Sequence, residues 1–172
     1  YGIAKNTSMQ IVKLYREIYN LNCCTGVLFN HESILRDERW LPTKIISNAL
    51  RIKNGKATKL TLGDISDGRD WCAAEDIVDG LFKIMEREAI NEDFVFGSGG
   101  ITSIKEILEI VFLNLGLNWE DFVISDKTLF RRNDVKGIRA DITKARKMLG
   151  WEPQISTKKW VNQIFEYQST LS

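Results

Sequence analysis

The sequence predicts an α/β fold built around a mainly parallel sheet. Short apolar segments alternate with amphipathic helical segments along the 172 residues, and this alternation is typical of α/β domains. The segment at residues 23–29 is apolar without alternation, which predicts a strand buried on both faces, as in parallel sheets. Hydrophobic residues make up 44% of the chain and charged residues 27%, so a packed core is expected.

The first half of the chain has two predicted helices. Apolar residues recur at helical spacing in the first, and Pro42 occupies the first turn of the second, where proline is tolerated. Gly55 ends this second helix. The predicted elements are a helix from residue 1 to about 19, a strand at 23–29, a polar loop at 30–39, a helix at 41–52, a strand at 59–62, a turn at 63–68 and an extended piece from 69 to 71.

The second half continues the alternation. Thr102 or Ser103 caps a helix, and Glu106 completes a capping box with Ser103. Asp141 caps a short helix that ends at Gly150. The predicted elements are a helix at 74–86 with Ile77, Val78, Leu81, Phe82 and Met85 facing inward, a strand at 93–96, a helix from about 103 to 115, an edge strand at 122–124, the helix between 141 and 150, and a last helix at 157–167.

Composition excludes several functional classes. The net charge is +1, so no large field favours nucleic acid or a membrane surface, and no apolar stretch reaches the roughly 20 residues needed to span a bilayer. The three cysteines, two of them adjacent, have no CxxC spacing, and there is one histidine, so we expect no zinc site. This cysteine pattern predicts a reducing, cytoplasmic location.

The first candidate catalytic pair is Tyr1 and Lys5. Residues four apart share one face of a helix, and an ammonium beside a phenol stabilises the phenolate, which makes a tyrosine a usable general base. The same spacing also occurs in helices where a half-buried aromatic residue stands beside a solvated lysine. Because the pair stands at the very start of the chain, we expect the chain to be the second half of a larger protein.

Two further segments are open to two interpretations each. The glycines of residues 97–100 lie between a strand and a helix, but position 102 is threonine and no βαβ unit follows, which favours a tight turn over a dinucleotide-binding loop. His31 is either a hydrogen-bonded structural residue or part of a ligand-binding loop. The second interpretation follows from its position after a buried strand, where open α/β sheets bind ligands.

Two arginines are candidates for a phosphate clamp. Arg69 and Arg131 stand far apart in the sequence, and arginine suits bidentate contact with phosphate. If the fold brings them together, they form a diphosphate site. The alternative is two surface ion pairs that contribute little to stability.

Taken together, the motifs resemble the C-terminal half of the extended short-chain dehydrogenase/reductases, most of all the GDP-mannose 4,6-dehydratase family. The similarity covers almost the whole chain in order, and the segment from Leu28 to Ser33 is its most specific part. The matching residues are Tyr1 and Lys5, residues 26–33 and 43–45, Leu62-Gly63, Arg69-Asp70-Trp71, Phe130-Arg131, Asp134-Val135, Asp141, Lys144-Ala145 and residues 149–153.

The resemblance implies a Rossmann-type doubly wound sheet joined to a small α/β substrate-binding domain. Residues 1–37 would end the dinucleotide-binding domain, and residues 38–172 would form mainly the substrate-binding domain, with strand 93–96 returning to the main sheet. The family's glycine-rich phosphate loop, its Ser/Thr and its acid/base for water loss would precede Tyr1. The helix that carries Tyr1 would also form a homodimer or homotetramer contact, for which Ile11 and Ile18 are candidates, although the same apolar face could cover the sheet.

The resemblance also implies a role for each candidate residue. The reaction implied is oxidation of the sugar at C4, loss of water across C5–C6 and return of hydride to C6, with bound NADP or NAD and a GDP-sugar substrate. Tyr1 would take the proton of the sugar 4-hydroxyl. The other implied roles are nicotinamide-ribose binding for Lys5, cofactor contacts for His31 and Arg36, substrate contacts for Asn30 and Lys44, and the diphosphate clamp for Arg69 and Arg131.

The chain departs from the family pattern around the implied sugar pocket. Ile34-Leu35 stands where the family usually has Pro-Arg, Trp40-Leu41-Pro42 replaces a Phe-Val-Thr-like run, and Arg132-Asn133 replaces Pro-Thr. A GDP-heptose or another NDP-hexose is therefore an alternative substrate. An NDP-sugar epimerase or reductase, and a non-catalytic sugar-nucleotide-binding fragment, are the alternative functions.

Overall fold

A computed structural model describes residues 1–87, 91–130 and 137–171. Helices and short strands alternate in these residues, as the sequence predicts. In chain order they are α1 (Gly2–Tyr19), β1 (Gly26–Leu28), β2 (Asn30–Glu32), α2 (Leu41–Lys53), β3 (Leu60–Leu62), β4 (Gly68–Arg69), β5 (Trp71–Ala73), α3 (Ala74–Met85), β6 (Phe94–Phe96), β7 (Thr102–Ser103), α4 (Ile104–Asn114), β8 (Val123–Ser125), α5 (Thr143–Leu149) and α6 (Thr157–Leu171).

The strands pair two by two, and the pairing is mostly parallel. β1 pairs with β6, β2 with β5 and β3 with β8, all in parallel, whereas β4 and β7 are antiparallel. β6 is the strand expected to return to the main sheet, and its partner β1 is the apolar strand that follows α1. The division of the chain at residue 37 into two domains stays a prediction.

The described residues form two apolar cores. The larger core packs α2, α4 and α6 around β3, and Ile45, Leu108 and Ile164 are fully buried in it. The smaller core packs α3 and α5 against the β1–β6 pair, with Phe96 and Trp151 in edge-to-face contact at 4.8 Å between ring centroids. Strand β6 is therefore covered by helices, as expected for a parallel strand.

The prediction that residues 30–39 form a loop is wrong for Asn30–Glu32. These three residues form β2, in register with Trp71–Ala73 of β5. Their polar side chains have little intrinsic preference for strands. A distant partner strand therefore determines their conformation.

The predicted inward face of α3 is also partly wrong. Ile77 is buried, but Val78, Phe82 and Met85 are 63%, 57% and 79% exposed. The helix turns its small residue Gly80 to the core instead, where an added methyl group would meet the rings of Phe96 and Trp151. This close approach of helix to sheet sets the buried face, and a count of apolar residues at helical spacing does not detect it.

The structure confirms two predicted helix termini, Ser103 at the start of α4 and Gly150 at the end of α5, and differs at two others. Ile142, not Asp141, is the N-cap residue of α5, and α6 continues to Leu171, beyond the predicted end at residue 167. The Ser103 hydroxyl accepts a hydrogen bond from the Glu106 amide at 3.0 Å at the start of α4. Asp141 accepts one from the Thr143 amide at 3.0 Å. Gly150 ends α5 in the left-handed conformation, with φ of 61°.

Candidate active site

Tyr1 and Lys5 lie on one side of α1. The Lys5 Nζ is 5.3 Å from the centroid of the Tyr1 ring, and the Lys5 amide donates to the Tyr1 carbonyl oxygen at 3.0 Å. The Tyr1 residue is 95% exposed in this chain, of which it is the first residue. The arrangement therefore places a cation beside a phenol.

Helix α1 is joined to the rest of the chain mainly through Arg16. The guanidinium donates to the carbonyl oxygens of Cys23 and Asn91, both at 2.8 Å, and to the Asp93 carboxylate at 2.5 Å. Asp93 also accepts from the Thr25 amide at 2.8 Å. These bonds link the end of α1 to the start of the β1–β6 pair.

The remaining candidate residues begin at the carboxyl end of the β1–β6 pair. The Phe29 amide donates to the Phe96 carbonyl oxygen at 2.9 Å, and Asn30 and His31 follow directly. Asn30 is exposed and lies opposite Trp71 in the β2–β5 register. The carboxyl end of a parallel sheet is where open α/β folds bind ligands.

Asp70 links three backbone segments at the carboxyl end of the β1–β6 pair. Its carboxylate is buried and accepts three backbone hydrogen bonds, from Ser98 at 2.6 Å, Gly99 at 3.0 Å and Ala140 at 2.8 Å. Two amides of the glycine cluster are thus already bonded to a protein carboxylate. These bonds disfavour the phosphate-loop interpretation of that cluster, since the two amides are not available to a ligand.

His31 is oriented by the backbone. Its Nδ1 lies 2.9 Å from the Phe29 carbonyl oxygen. A carbonyl oxygen only accepts, so we assign the proton to Nδ1, and Nε2 of the neutral ring is then an acceptor. The ring is partly buried, and its second nitrogen is suited to a hydroxyl group.

Arg36 stands between a carboxylate and an aromatic ring. Its Nε is 3.4 Å from Oε2 of Glu32, which is 3% exposed, and its guanidinium carbon is 4.2 Å from the centroid of the Trp40 ring. Burial raises the pKa of the Glu32 carboxyl to about 7, although the Arg36 cation acts in the opposite direction. At neutral pH this carboxyl is therefore partly protonated.

Arg69 lies in β4 and Lys44 in α2. The Arg69 Nη1 donates to Asp67 at 2.7 Å and to the Gly68 carbonyl oxygen at 2.8 Å. The Lys44 amide donates to the Trp40 carbonyl oxygen at 2.8 Å in the first turn of α2. Arg131 lies outside the described residues, so the convergence of the two arginines stays a prediction.

The structure brings one group of candidates together. The β2–β5 register joins Asn30 and His31 to the strand that follows Arg69, and the turn after β2 carries Arg36. Among the described residues, Tyr1 and Lys5 contact each other, and no hydrogen bond or ion pair joins them to this group, so their convergence with it stays a prediction.

Sequence reasoning missed three residues of this site. The carboxylates of Glu32 and Asp70 are almost fully buried, and Trp40 contacts Arg36. An acidic residue beside the apolar run of residues 71–73 is a sequence signal that would have identified Asp70 as a buried acceptor.

The described residues contain neither a candidate metal site nor a candidate membrane-spanning helix. Across residues 1–87, 91–130 and 137–171, no group of three histidine, cysteine or acidic residues could hold a metal ion. Within the same ranges, no helix has the length and hydropathy required to cross a bilayer.

Comparison with known proteins places this arrangement in a family. Residues 1–164 match the family model described as GDP-mannose 4,6 dehydratase. GDP-mannose 4,6 dehydratase 1 of Arabidopsis thaliana is 40% identical over 166 residues, which cover 96% of this chain and 46% of that protein. The human GDP-mannose 4,6 dehydratase is 31% identical, with 95% and 48% covered. The chain thus spans about half the length of the curated relatives it matches.

Solved structures show the same fold. RMD from Pseudomonas aeruginosa, complexed with NADPH, superposes with a TM-score of 0.86 at 17% identity, over 99% of this chain and 56% of that one. UDP-glucose 4-epimerase from Thermotoga maritima, with UDP-glucose, gives a TM-score of 0.83 at 25% identity, over 100% and 54%. The predicted fold, the C-terminal part of a Rossmann-type sheet with a smaller α/β unit, is confirmed.

Proposed function

Because this chain belongs to the GDP-mannose 4,6-dehydratase family, we propose that the intact protein is a sugar-nucleotide 4,6-dehydratase. Its substrate is GDP-mannose or a related GDP-sugar, and its product is a 4-keto-6-deoxy sugar. The family match over residues 1–164 supports the proposal. The geometric observation that carries it is the Lys5 ammonium 5.3 Å from the centre of the exposed Tyr1 ring.

Tyr1 is the general base in this proposal. Its phenolate takes the proton of the sugar 4-hydroxyl, and the Lys5 cation stabilises the negative charge that the phenolate carries before the transfer. Both side chains project from one stiff helix, so they approach the substrate as a unit.

The cofactor of the proposed reaction is NADP or NAD. When bound, a nicotinamide dinucleotide accepts the hydride from C4 and returns it to C6. The residues present fit such a group, because His31 offers an acceptor nitrogen and Arg36 offers a cation with 33% of its side chain exposed. Lys5 holds the nicotinamide ribose, and His31 and Arg36 hold other parts of the dinucleotide.

Asn30, Lys44, Arg69 and Arg131 bind the sugar nucleotide. Arg69 lies two residues before Trp71, which pairs with Asn30, and this register supports a shared substrate site. We also propose that the intact protein is a homo-oligomer. The candidate contact is the apolar face of α1, where Ile11 and Leu14 are each 50% exposed and Ile18 is 62% exposed in this chain.

The test is Tyr1→Phe in the intact protein, with GDP-mannose as substrate. We expect turnover to fall about 10²–10⁴-fold, because the general base is lost. Tyr19→Phe is the matched control, since this tyrosine lies on the same helix and is also exposed. Near-normal turnover of Tyr1→Phe contradicts the assignment of the base. Recovery of a C4-epimerised GDP-hexose, with no 4-keto-6-deoxy sugar, favours the epimerase alternative.

A further inference from the structure

The segment after β2 folds back on itself in two consecutive turns. The Arg36 amide donates to the Ser33 carbonyl oxygen at 3.1 Å, and the Trp40 amide donates to the Asp37 carbonyl oxygen at 3.1 Å. Serine and aspartate are favoured in such turns because their side chains bond nearby amides, as Asp37 does with the Arg39 amide at 2.8 Å. Both turns therefore come from local sequence, and they bring residue 40 back to residue 36.

The first contact of the Arg36 guanidinium is a buried carboxylate. The Nε to Oε2 separation of 3.4 Å to Glu32 is long for a charge-assisted hydrogen bond, which is usually about 2.7–2.9 Å. Neither atom has a hydrogen-bond partner among the described residues. The Glu32 carboxylate therefore attracts the guanidinium without accepting a hydrogen bond from its Nε.

The second contact is the indole of Trp40, on which the guanidinium stacks at 4.2 Å. Trp40 stands where the resembled family has a phenylalanine-like position, and an indole is the best of the aromatic faces for a cation. Trp40 is 51% exposed. Its ring is thus not needed to fill the core.

We propose that Glu32 and Trp40 are positioning residues that hold the Arg36 guanidinium from two sides for contact with the dinucleotide cofactor. This inference rests on the proposed function, in which Arg36 touches that cofactor. A free arginine side chain samples many rotamers, and the loss of that freedom weakens binding. Glu32 lies in a paired strand and Trp40 at the start of α2, so the two contacts fix the guanidinium before the ligand arrives.

The experiment measures the affinity of the intact protein for NADPH, and for NADH in parallel, by fluorescence titration. At pH 8, where the carboxyl is largely ionised, Glu32→Gln keeps the shape of the side chain and removes its charge, and we expect it to weaken dinucleotide binding about tenfold. Trp40→Ala is expected to weaken it about three- to tenfold. Glu38→Gln is the control, because it breaks an exposed ion pair with Arg51 in the same segment and should leave affinity unchanged.

A double-mutant cycle separates positioning from general structural damage. A residue that acts only through Arg36 has no effect once that side chain is gone. We therefore expect Glu32→Gln and Trp40→Ala to change affinity less than twofold in an Arg36→Ala background. Additive losses in that background overturn the inference. If Glu32→Gln fails to fold, the Trp40→Ala variant still tests the inference, because Trp40 is half-exposed and its replacement leaves the core intact.

Failure of the inference and failure of the proposed function give different results. If Arg36→Ala weakens binding and the Glu32 and Trp40 variants do not, the positioning inference is wrong and the proposed function stands. If Arg36→Ala binds as tightly as the unchanged protein, the cofactor role of Arg36 is wrong and the inference fails with it. If the unchanged protein binds neither dinucleotide, the proposed function itself fails.

Discussion

Replacing Asp70 with asparagine should strongly destabilise the carboxyl edge of the β1–β6 pair. The buried carboxylate accepts amide hydrogens from Ser98, Gly99 and Ala140 at 2.6, 3.0 and 2.8 Å. An asparagine amide has a single oxygen. At least one of the three amides would therefore face an NH₂ group, and the bonds that remain would lose their charge.

The size of this effect follows from the bond count. Hydrogen bonds to a charged group contribute about 1.5–3 kcal/mol each, and neutral ones contribute about 1 kcal/mol. One lost bond and two weakened bonds then give a decrease of about 3–5 kcal/mol in the free energy of unfolding. This is a large share of the roughly 5–15 kcal/mol that holds a domain together.

Urea unfolding and amide hydrogen exchange test the prediction together. Exchange at Ser98, Gly99 and Ala140 should accelerate in Asp70→Asn, because these amides lose their acceptor. Asp79→Asn is the matched control, since Asp79 makes a 3.7 Å ion pair with Lys83 on the surface, and such pairs contribute about 0.3–0.5 kcal/mol. A loss below about 1 kcal/mol with unchanged exchange would refute the view that Asp70 holds this edge.

Two further predictions concern buried positions. The raised pKa of Glu32, from 4.5 to about 7, means that the folded protein binds its proton more tightly than the unfolded protein does. The resulting stabilisation is complete below pH 4.5 and is lost as the pH rises through about 7. By pH 8 this loss reaches up to about 3 kcal/mol. Glu32→Gln should remove this pH dependence in urea unfolding at pH 5 and pH 8 without cofactor, and equal slopes in the two proteins would contradict it. Gly80→Ala should destabilise by about 1–3 kcal/mol, because its methyl group would overlap the edge of the Phe96 ring and lie 3.0 Å from Nε1 of Trp151. Gly2→Ala, with no atom within 4 Å of the added carbon, should not destabilise, and a similar thermal shift in both variants would sink the packing argument.

The two expectations for Glu32→Gln point in opposite directions. At pH 8 the variant should be more stable than the unchanged protein, yet it should bind the dinucleotide less tightly. A buried charge that lowers stability and orients a ligand contact is one way in which function opposes stability. The same variant therefore tests both sides of this trade-off.

Local patterns predicted the helices well. The Tyr1–Lys5 face, the capping of α4 by Ser103 and the end of α5 at Gly150 each depend on residues within four positions of each other. Such features require no knowledge of the rest of the chain. The apolar run at residues 23–29 correctly indicated a strand, but only Gly26–Leu28 forms β1, and these residues are not fully buried in this chain, with Leu28 39% exposed.

The errors occurred where distant residues decide the conformation. Asn30–Glu32 is a strand because β5 pairs with it across about 40 intervening positions. Phe82 faces outward because Gly80 allows α3 to approach the sheet on another side. The role of Asp70 depends on amides near residues 98 and 140. None of these contacts leaves a periodic signal in the local sequence.

The anchoring of α1 near its far end makes the helix a lever. Arg16 fixes the C-terminal end of the helix through Asn91 and Asp93. Tyr1 lies fifteen positions away, which at 1.5 Å per residue is a distance of about 22 Å along the helix axis. A tilt of about 5° around that fulcrum would sweep the phenol through about 2 Å, by the same helical rise. Displacements of about 1 Å already slow well-aligned reactions considerably. If Tyr1 is the base, as proposed, the alignment of its phenol therefore depends on the contacts made along the sides of α1, since no residue of α1 is buried in this chain.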